Sequence, residues 1–327
     1  MNIVKKTILI APLDWGLGHA TRCVPLINDY LKSDNNVIIA ATGQPLAFLQ
    51  KEFPHLTFIP FTGYKIQYST SNFLFLRLLL QMPVFFLSII SEHYKLKKII
   101  KKYNIDIVVS DNRYGAFSKK TENLLITHQI FIQLPRSVKI LQPVLHFITR
   151  LLINNFDRCL VPDFENNKNN LSGKLSHGKH LPKNVEYINP LSRFSLISDN
   201  NINVKNIEIP DVLVLVSGPE PQRTIFEKEN EKRFAGTSLK TLIVCGTPEK
   251  NIVESEYDNI TKVPHLETET LYYLLKNTKK IIARSGYSTI MDFYVLNIKA
   301  ELYPTPGQTE QEYLATLNSK RFNPNYT

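Results

Sequence analysis

At 327 residues the chain is long enough for two ordinary domains, and its 43% apolar residues can fill two cores, which excludes a disordered or fibrous protein. Cys23, Cys159 and Cys245 are isolated and odd in number, so neither a disulfide framework nor a zinc cluster is expected, and a reducing compartment is implied. The net charge of +10 is uneven: residues 1–200 hold 24 Lys and Arg against 13 Asp and Glu, residues 201–327 hold 15 against 16, and no basic-aromatic module in the basic half points to nucleic acid.

Lys5-Lys6 precede only a short apolar run, and a glycine loop stands where a signal-peptide cleavage site would fall, so a cytoplasmic protein is expected. Thr7 to Ala11 reads as a buried strand, Gly16-Leu17-Gly18-His19-Ala20-Thr21-Arg22 as a turn, and Cys23 to Leu31 as the helix after it. A dinucleotide fingerprint is not met. Its third glycine would fall at Thr21, and no acidic residue closes the second strand, Val37 to Ala41. Further strands are expected at Leu56 to Pro60, Ile105 to Ser110, Asn123 to Ile126, Arg158 to Val161 and Val185 to Ile188. Phe73 to Ile90 is apolar but interrupted by Arg77, Gln81 and Pro83, and Lys95, Lys97, Lys98, Lys101 and Lys102 follow. A charge in mid-run argues against a spanning helix. Residues 73–102 are read as a surface-inserted segment with a basic flank that touches the inner face of a membrane, the alternative being a buried helix with solvated lysines.

Asp111 ends one strand and His128 follows the next, placing both at strand ends where open α/β sheets bind ligands. His177 and His180 have i, i+3 spacing but no neighbouring carboxylates, so no metal is expected. The first domain is assigned to residues 1–195, a linker to 196–210 with its polar stretch at Ser198 to Asn206, and the second domain to 211–327. The second opens with Val212 to Val216, runs into Ser217-Gly218-Pro219-Glu220-Pro221-Gln222-Arg223-Thr224, and continues with a strand at Thr241 to Cys245. Val263 to Glu267 precedes a helix at Thr268 to Lys276. Arg284-Ser285-Gly286-Tyr287-Ser288-Thr289-Ile290-Met291-Asp292 then follows the apolar run Ile281 to Ala283, reading as a strand that ends in a helix N-terminus. Such a junction accepts an anion on free backbone N–H groups; Gly286 allows close approach, Ser285, Ser288 and Thr289 add hydroxyls, and Asp292 can accept from ribose hydroxyls. A plain Ser-capped helix is the alternative. Glu301 to Tyr303 is a short strand, and Pro304 to Tyr313 a kinked loop and helix start crowded with amides and carboxylates suited to sugar hydroxyls.

These paired segments and the Gly18-His19 loop resemble nucleotide-sugar glycosyltransferases of the GT-B fold, especially the family 28 group that contains the peptidoglycan N-acetylglucosaminyltransferase. The resemblance implies an α/β chain of two Rossmann-like domains facing a central cleft, the first for acceptor and the second for donor. It implies inverting, metal-independent transfer of a hexosyl, or N-acetylhexosaminyl, group from a UDP-sugar to a hydroxyl of a glycan or lipid-linked acceptor, with no cofactor. His19 would be the base, imidazole titrating near neutrality, and Asp111 the alternative base or the group that orients His19. Gly18, Ser217, Gly218, Arg223, Leu266, Arg284, Ser285, Gly286, Ser288, Thr289, Asp292, Gln308, Gln311 and Glu312 would hold the donor, with Leu266 in a loop that meets the nucleobase through backbone groups. Arg22, Arg113 and His128 would face the acceptor. Pro219 removes one N–H that a glycine would supply to the second phosphate loop. GT-B chains usually finish with a helix that returns to the first domain. After the expected helix Glu310 to Lys320 only residues 321–327 remain, so that helix is expected to be missing or replaced. A nucleotide-sugar 2-epimerase of the same fold, or a non-catalytic nucleotide-sugar- or lipid-binding protein, are the other readings.

Overall fold

The computed structural model describes residues 5–63, 74–166, 168–198, 207–251, 254–255 and 257–322, without the side chains of residues 74–82 and 136. Residues 199–206, the core of the expected linker, and Phe73 lie outside the described residues.

Two parallel sheets organise the chain. In the first half β1 (Thr7–Pro12), α1 (Leu17–Lys32), β2 (Asn36–Ala41), α2 (Gly43–Glu52), β3 (Thr57–Pro60), α3 (Leu74–Tyr103), β4 (Ile107–Asp111), β5 (Glu122–Ile126), α4 (Gln142–Ile153), β6 (Arg158–Pro162) and β7 (Val185–Ile188) follow one another. Their strands lie in the order β3-β2-β1-β4-β5-β6-β7. The second half comprises β8 (Val212–Leu215), α5 (Gln222–Phe234), β9 (Thr241–Val244), β10 (Ile260–Val263), α6 (Thr268–Asn277), β11 (Lys280–Arg284), α7 (Tyr287–Leu296), β12 (Glu301–Tyr303) and α8 (Thr309–Phe322), in strand order β10-β9-β8-β11-β12. Continuous apolar strands such as Thr7-Ile-Leu-Ile-Ala-Pro12 are buried on both faces, as a helix-covered parallel sheet requires. Every strand expected from the sequence is present within two residues at each end, whereas β10 was not foreseen because its four residues show no uninterrupted apolar run.

Strand order reverses between β1 and β4 in one sheet and between β8 and β11 in the other. Crevices open beyond strand ends at such switch points. His19 and Asp111 follow the first pair, and Ser217 and the start of α7 follow the second.

The halves share packing. Leu171, Leu175 and Phe194 are buried in one apolar cluster with Leu271, Met291 and Leu314. From α8, Asn318 donates to the Leu171 carbonyl at 3.0 Å, Arg321 to that of Asn170 at 3.3 Å, and the Tyr313 hydroxyl accepts the Lys174 N–H at 2.8 Å. Gly173 (φ +52°) permits this approach, since a Cβ there would stand 2.3 Å from the Tyr313 oxygen. Thus α8, a helix of the second half, also packs on the first.

Candidate functional site

The register sets Pro12 beside Asp111 at the ends of β1 and β4, so the loop after β1 must pass over the Asp111 carboxylate. α1 begins at Leu17, so the expected turn is largely helix. His19 and Arg22 are three residues apart and therefore share a face. Asp111 is fully buried between them. Its Oδ2 accepts from Arg22 Nε at 2.6 Å, its Oδ1 accepts from Arg22 Nη2, and Oδ1 lies 3.0 Å from His19 Nδ1. Burial alone would raise the Asp111 carboxyl, but Arg22 and His19 outweigh it and hold it at about 2. Burial lowers the His19 imidazole, and Arg22 adds to this against the opposing pull of Asp111. His19 is consequently neutral at pH 7, with 18% of its side chain exposed, whereas Asp111 is inaccessible and ion-paired. A base must reach the acceptor proton, so the geometry favours His19 for that role and Asp111 for its orientation.

Across the cleft, Gly286 caps α7 without a side-chain bond, leaving the first N–H groups of that helix directed outward. The Ser288 hydroxyl donates to the Gly18 carbonyl at 2.8 Å, so the N-termini of α1 and α7 meet. A Cβ on Gly18 would lie 2.8 Å from that hydroxyl oxygen. The uncapped N–H groups and the dipole of a helix N-terminus favour an anion beside this contact. Next to it lies a cavity of about 100 Å³ between the halves, bounded by Gly18, Thr21, Phe48 and Arg193 from the first and by His265, Thr289 and Asp292 from the second. Burial lifts the Asp292 carboxyl to about 6 against the pull of Arg193, and its Oδ1 accepts from Ser192 at 2.6 Å.

His128 does not face open acceptor space. Its ring stacks on Tyr287 at 4.1 Å, Nδ1 is 3.4 Å from Arg22 Nη1, and Nε2 is 2.8 Å from Glu310 Oε1 on α8. The Gln129 amide also donates to Glu310, and the Tyr287 hydroxyl donates to the Pro162 carbonyl at 2.8 Å. Among the described residues no group of three His, Cys, Asp or Glu is placed to hold a metal.

No protein-family model matches the chain. An uncharacterized glycosyltransferase of Methanosarcina acetivorans is 22% identical over 321 residues, spanning 92% of this chain and 80% of that protein. The solved glycosyltransferase of kitacinnamycin superposes with a TM-score of 0.61 at 14% identity, over 97% of this chain and 85% of its own. An Arabidopsis thaliana enzyme, UGT89C1 in complex with UDP-L-rhamnose, gives 0.57 at 12% identity, over 97% and 83%. The chain has the GT-B fold and is similar to glycosyltransferases over most of its length.

Several side chains assigned to ligands by sequence are engaged elsewhere. Ser285 is fully buried and its hydroxyl donates to the Gln311 carbonyl at 2.9 Å, so it braces α8 against β11 instead of meeting a phosphate. Arg284 turns away from the α7 start, donating to the Pro304 carbonyl at 2.8 Å and covering Phe226 with its guanidinium 4.0 Å from the ring centre. Arg113 is buried, donates to the Pro12 carbonyl and pairs with Glu92 at 2.7 Å, which ties α3 to the first sheet and removes it from the acceptor side. Arg223 is held by Glu220 and donates to the Cys245 carbonyl at 3.0 Å. Gln311 accepts from Thr305 N–H at 2.9 Å, and Glu312 from Gly307 N–H at 3.1 Å, so both side chains shape the kinked loop. Leu266 packs against the core cluster of the second half. Ser217, Gly218 (φ +103°) and Gln308 occupy the loops after β8 and β12 with partial exposure. Sequence reasoning missed Arg193 as a member of the cleft and gave Glu310 only as a carboxylate suited to the sugar, without its contact to His128. Glu310 adjoins Gln311 in the amide-rich helix start, but its partner His128 stands 182 residues away.

Proposed function

We propose that the enzyme transfers a hexosyl group from a UDP-sugar to a hydroxyl acceptor with inversion and without a metal. The observation that carries this reading is His19, neutral and oriented by buried Asp111, at the rim of the junction between the α1 and α7 N-termini. His19 Nε2 takes the proton of the acceptor hydroxyl as that oxygen attacks the anomeric carbon and the bond to the diphosphate breaks. The negative charge gathering on the leaving diphosphate is stabilised by the N–H groups of Gly286 to Thr289 and by the α7 dipole. Asp292 takes the ribose, and the Val263 to Glu267 loop the base. Uridine rests on the resemblance and on the UDP-sugar named with the Arabidopsis neighbour. A 2-epimerase would need free carboxylates around the sugar, whereas Glu220, Glu310 and Glu312 are each hydrogen-bonded within the protein. In a screen of UDP-hexoses against hydroxyl acceptors, proton NMR of the product should show a β-linkage formed from the α-linked donor. A retained α-linkage would contradict the mechanism.

The acceptor reading includes a membrane surface. No helix among the described residues is long and apolar enough to cross a membrane. Leu87, Ile90 and Tyr94 on α3 are 65%, 53% and 62% exposed, and Ile140, Val144, Phe147 and Leu151 recur at helical spacing on and before α4 with 51% to 88% exposure. Lys97, Lys98, Lys101 and Lys102 continue α3 into solvent. This favours the surface-inserted reading of residues 83–102 over the buried one. The protein should co-float with vesicles containing anionic lipid, and the double variant Leu87→Asp/Phe147→Asp should stay behind. Equal flotation of the variant would remove the membrane from the proposal.

A further inference from the structure

Arg22 and Asp111 compete for one atom. His19 Nδ1 lies 3.0 Å from Asp111 Oδ1 and 2.9 Å from Arg22 Nη2. A guanidinium only donates, so Nδ1 either carries a proton and gives it to Asp111, leaving Nε2 free as a base, or accepts from Arg22, which puts the proton on Nε2 and silences it. The choice depends on where the guanidinium is held. Arg22 Nε and Nη2 grip Asp111, and Nη1 has His128 Nδ1 at 3.4 Å. That contact is attractive only if His128 Nδ1 is a lone pair, hence only if the His128 proton sits on Nε2. Nε2 faces Glu310 Oε1 at 2.8 Å, and an ionised carboxylate selects this tautomer. Gln129 on the first half fixes the other Glu310 oxygen.

We propose that Glu310 is a positioning residue: from the second domain it sets the tautomer of His128, His128 anchors Arg22, and Arg22 in turn leaves His19 Nδ1 to Asp111. The inference rests on the reading of His19 as the base. It makes the competence of a base on one domain depend on a carboxylate of the other, so domain closure and base activation are one event. Loss of Glu310 lets His128 move its proton to Nδ1, where it opposes Arg22 Nη1 donor to donor. The guanidinium then shifts toward His19.

Histidine-selective ¹⁵N labelling reads both rings directly, with His19→Gln and His128→Gln spectra assigning the signals. In the unaltered protein His19 should be chiefly Nδ1–H and His128 chiefly Nε2–H. Glu310→Ala should move His128 toward Nδ1–H and turn the Nδ1–H form of His19 from the major into the minor tautomer. Thr309→Val serves as the control, since it removes a different cross-domain bond, from the Thr309 hydroxyl to the Gln133 carbonyl at 2.8 Å. It should change neither ring. Arg22→Lys, which keeps the charge and loses the fork, should uncouple His19 from Glu310. An unaltered His19 signal in Glu310→Ala, or an equal response in Thr309→Val, would overturn the relay while leaving the base assignment standing. An Nε2–H tautomer of His19 in the parent protein would overturn both.

Discussion

Replacing His19 by alanine should reduce turnover by about 10²- to 10⁴-fold, the usual contribution of a positioned general base, with donor affinity little changed. The expected split follows from the geometry. Asp111 stays paired with Arg22 when the imidazole is gone, and the α7 start that would receive the diphosphate belongs to the other sheet. Turnover at saturating donor, measured beside donor binding by calorimetry, separates the two effects. Asp111→Asn should fall in the same range, because an amide no longer selects the Nδ1–H tautomer of His19. Substantial activity in both variants would remove the pair from the mechanism.

Arg22→Met should be the most destabilising single change in the cleft, by about 3–5 kcal/mol at neutral pH, because it strands a buried carboxylate. The pH dependence carries a sign that can be checked. In the parent protein Asp111 titrates at about 2, below its unfolded value of about 3.9, so its contribution is complete above the unfolded value and fades as pH falls from about 4 through 2. Without Arg22 that depression is removed, and burial favours the protonated acid. The deficit of the variant should therefore shrink as pH falls toward 4, the reverse of the parent trend. Urea unfolding at pH 7 and pH 4 measures it, and Asp111→Asn in the Arg22→Met background should recover part of the loss. A deficit that stays constant between the two pH values would contradict this assignment of the charges.

The fold was legible where local pattern is strong. Apolar runs such as Val37 to Ala41 and Ile281 to Ala283 announce buried parallel strands, and the glycines at 16, 18 and 286 mark strand-to-helix junctions. Gly18, His19, Ser288 and Asp292 combine suitable chemistry with a position at a junction in the sequence, and the structure sets them at or beside the contact of α1 with α7. Ser285, Arg284 and Arg113 share the residue types and the neighbourhood, yet their direction is set by β-strand alternation and by partners distant in sequence. The contact of Glu310 with His128 is hidden for the converse reason, since only the packing of α8 against the first half brings the two together. A run such as residues 83–94 shows apolarity in sequence but not which face remains uncovered. Exposure of Leu87 and Ile90 supplies that.

The central claim is that a nucleotide sugar is held at the α7 start and Asp292, and calorimetric titration with UDP-hexoses, UDP, TDP and GDP tests it most directly. The expected result is micromolar binding of UDP and UDP-sugars, weakened more than tenfold in Asp292→Ala and in Thr289→Ala, with Ser285→Ala affected only through stability. A folded protein that binds none of these nucleotides, or one whose binding ignores both substitutions, would contradict the donor site and the reaction built on it.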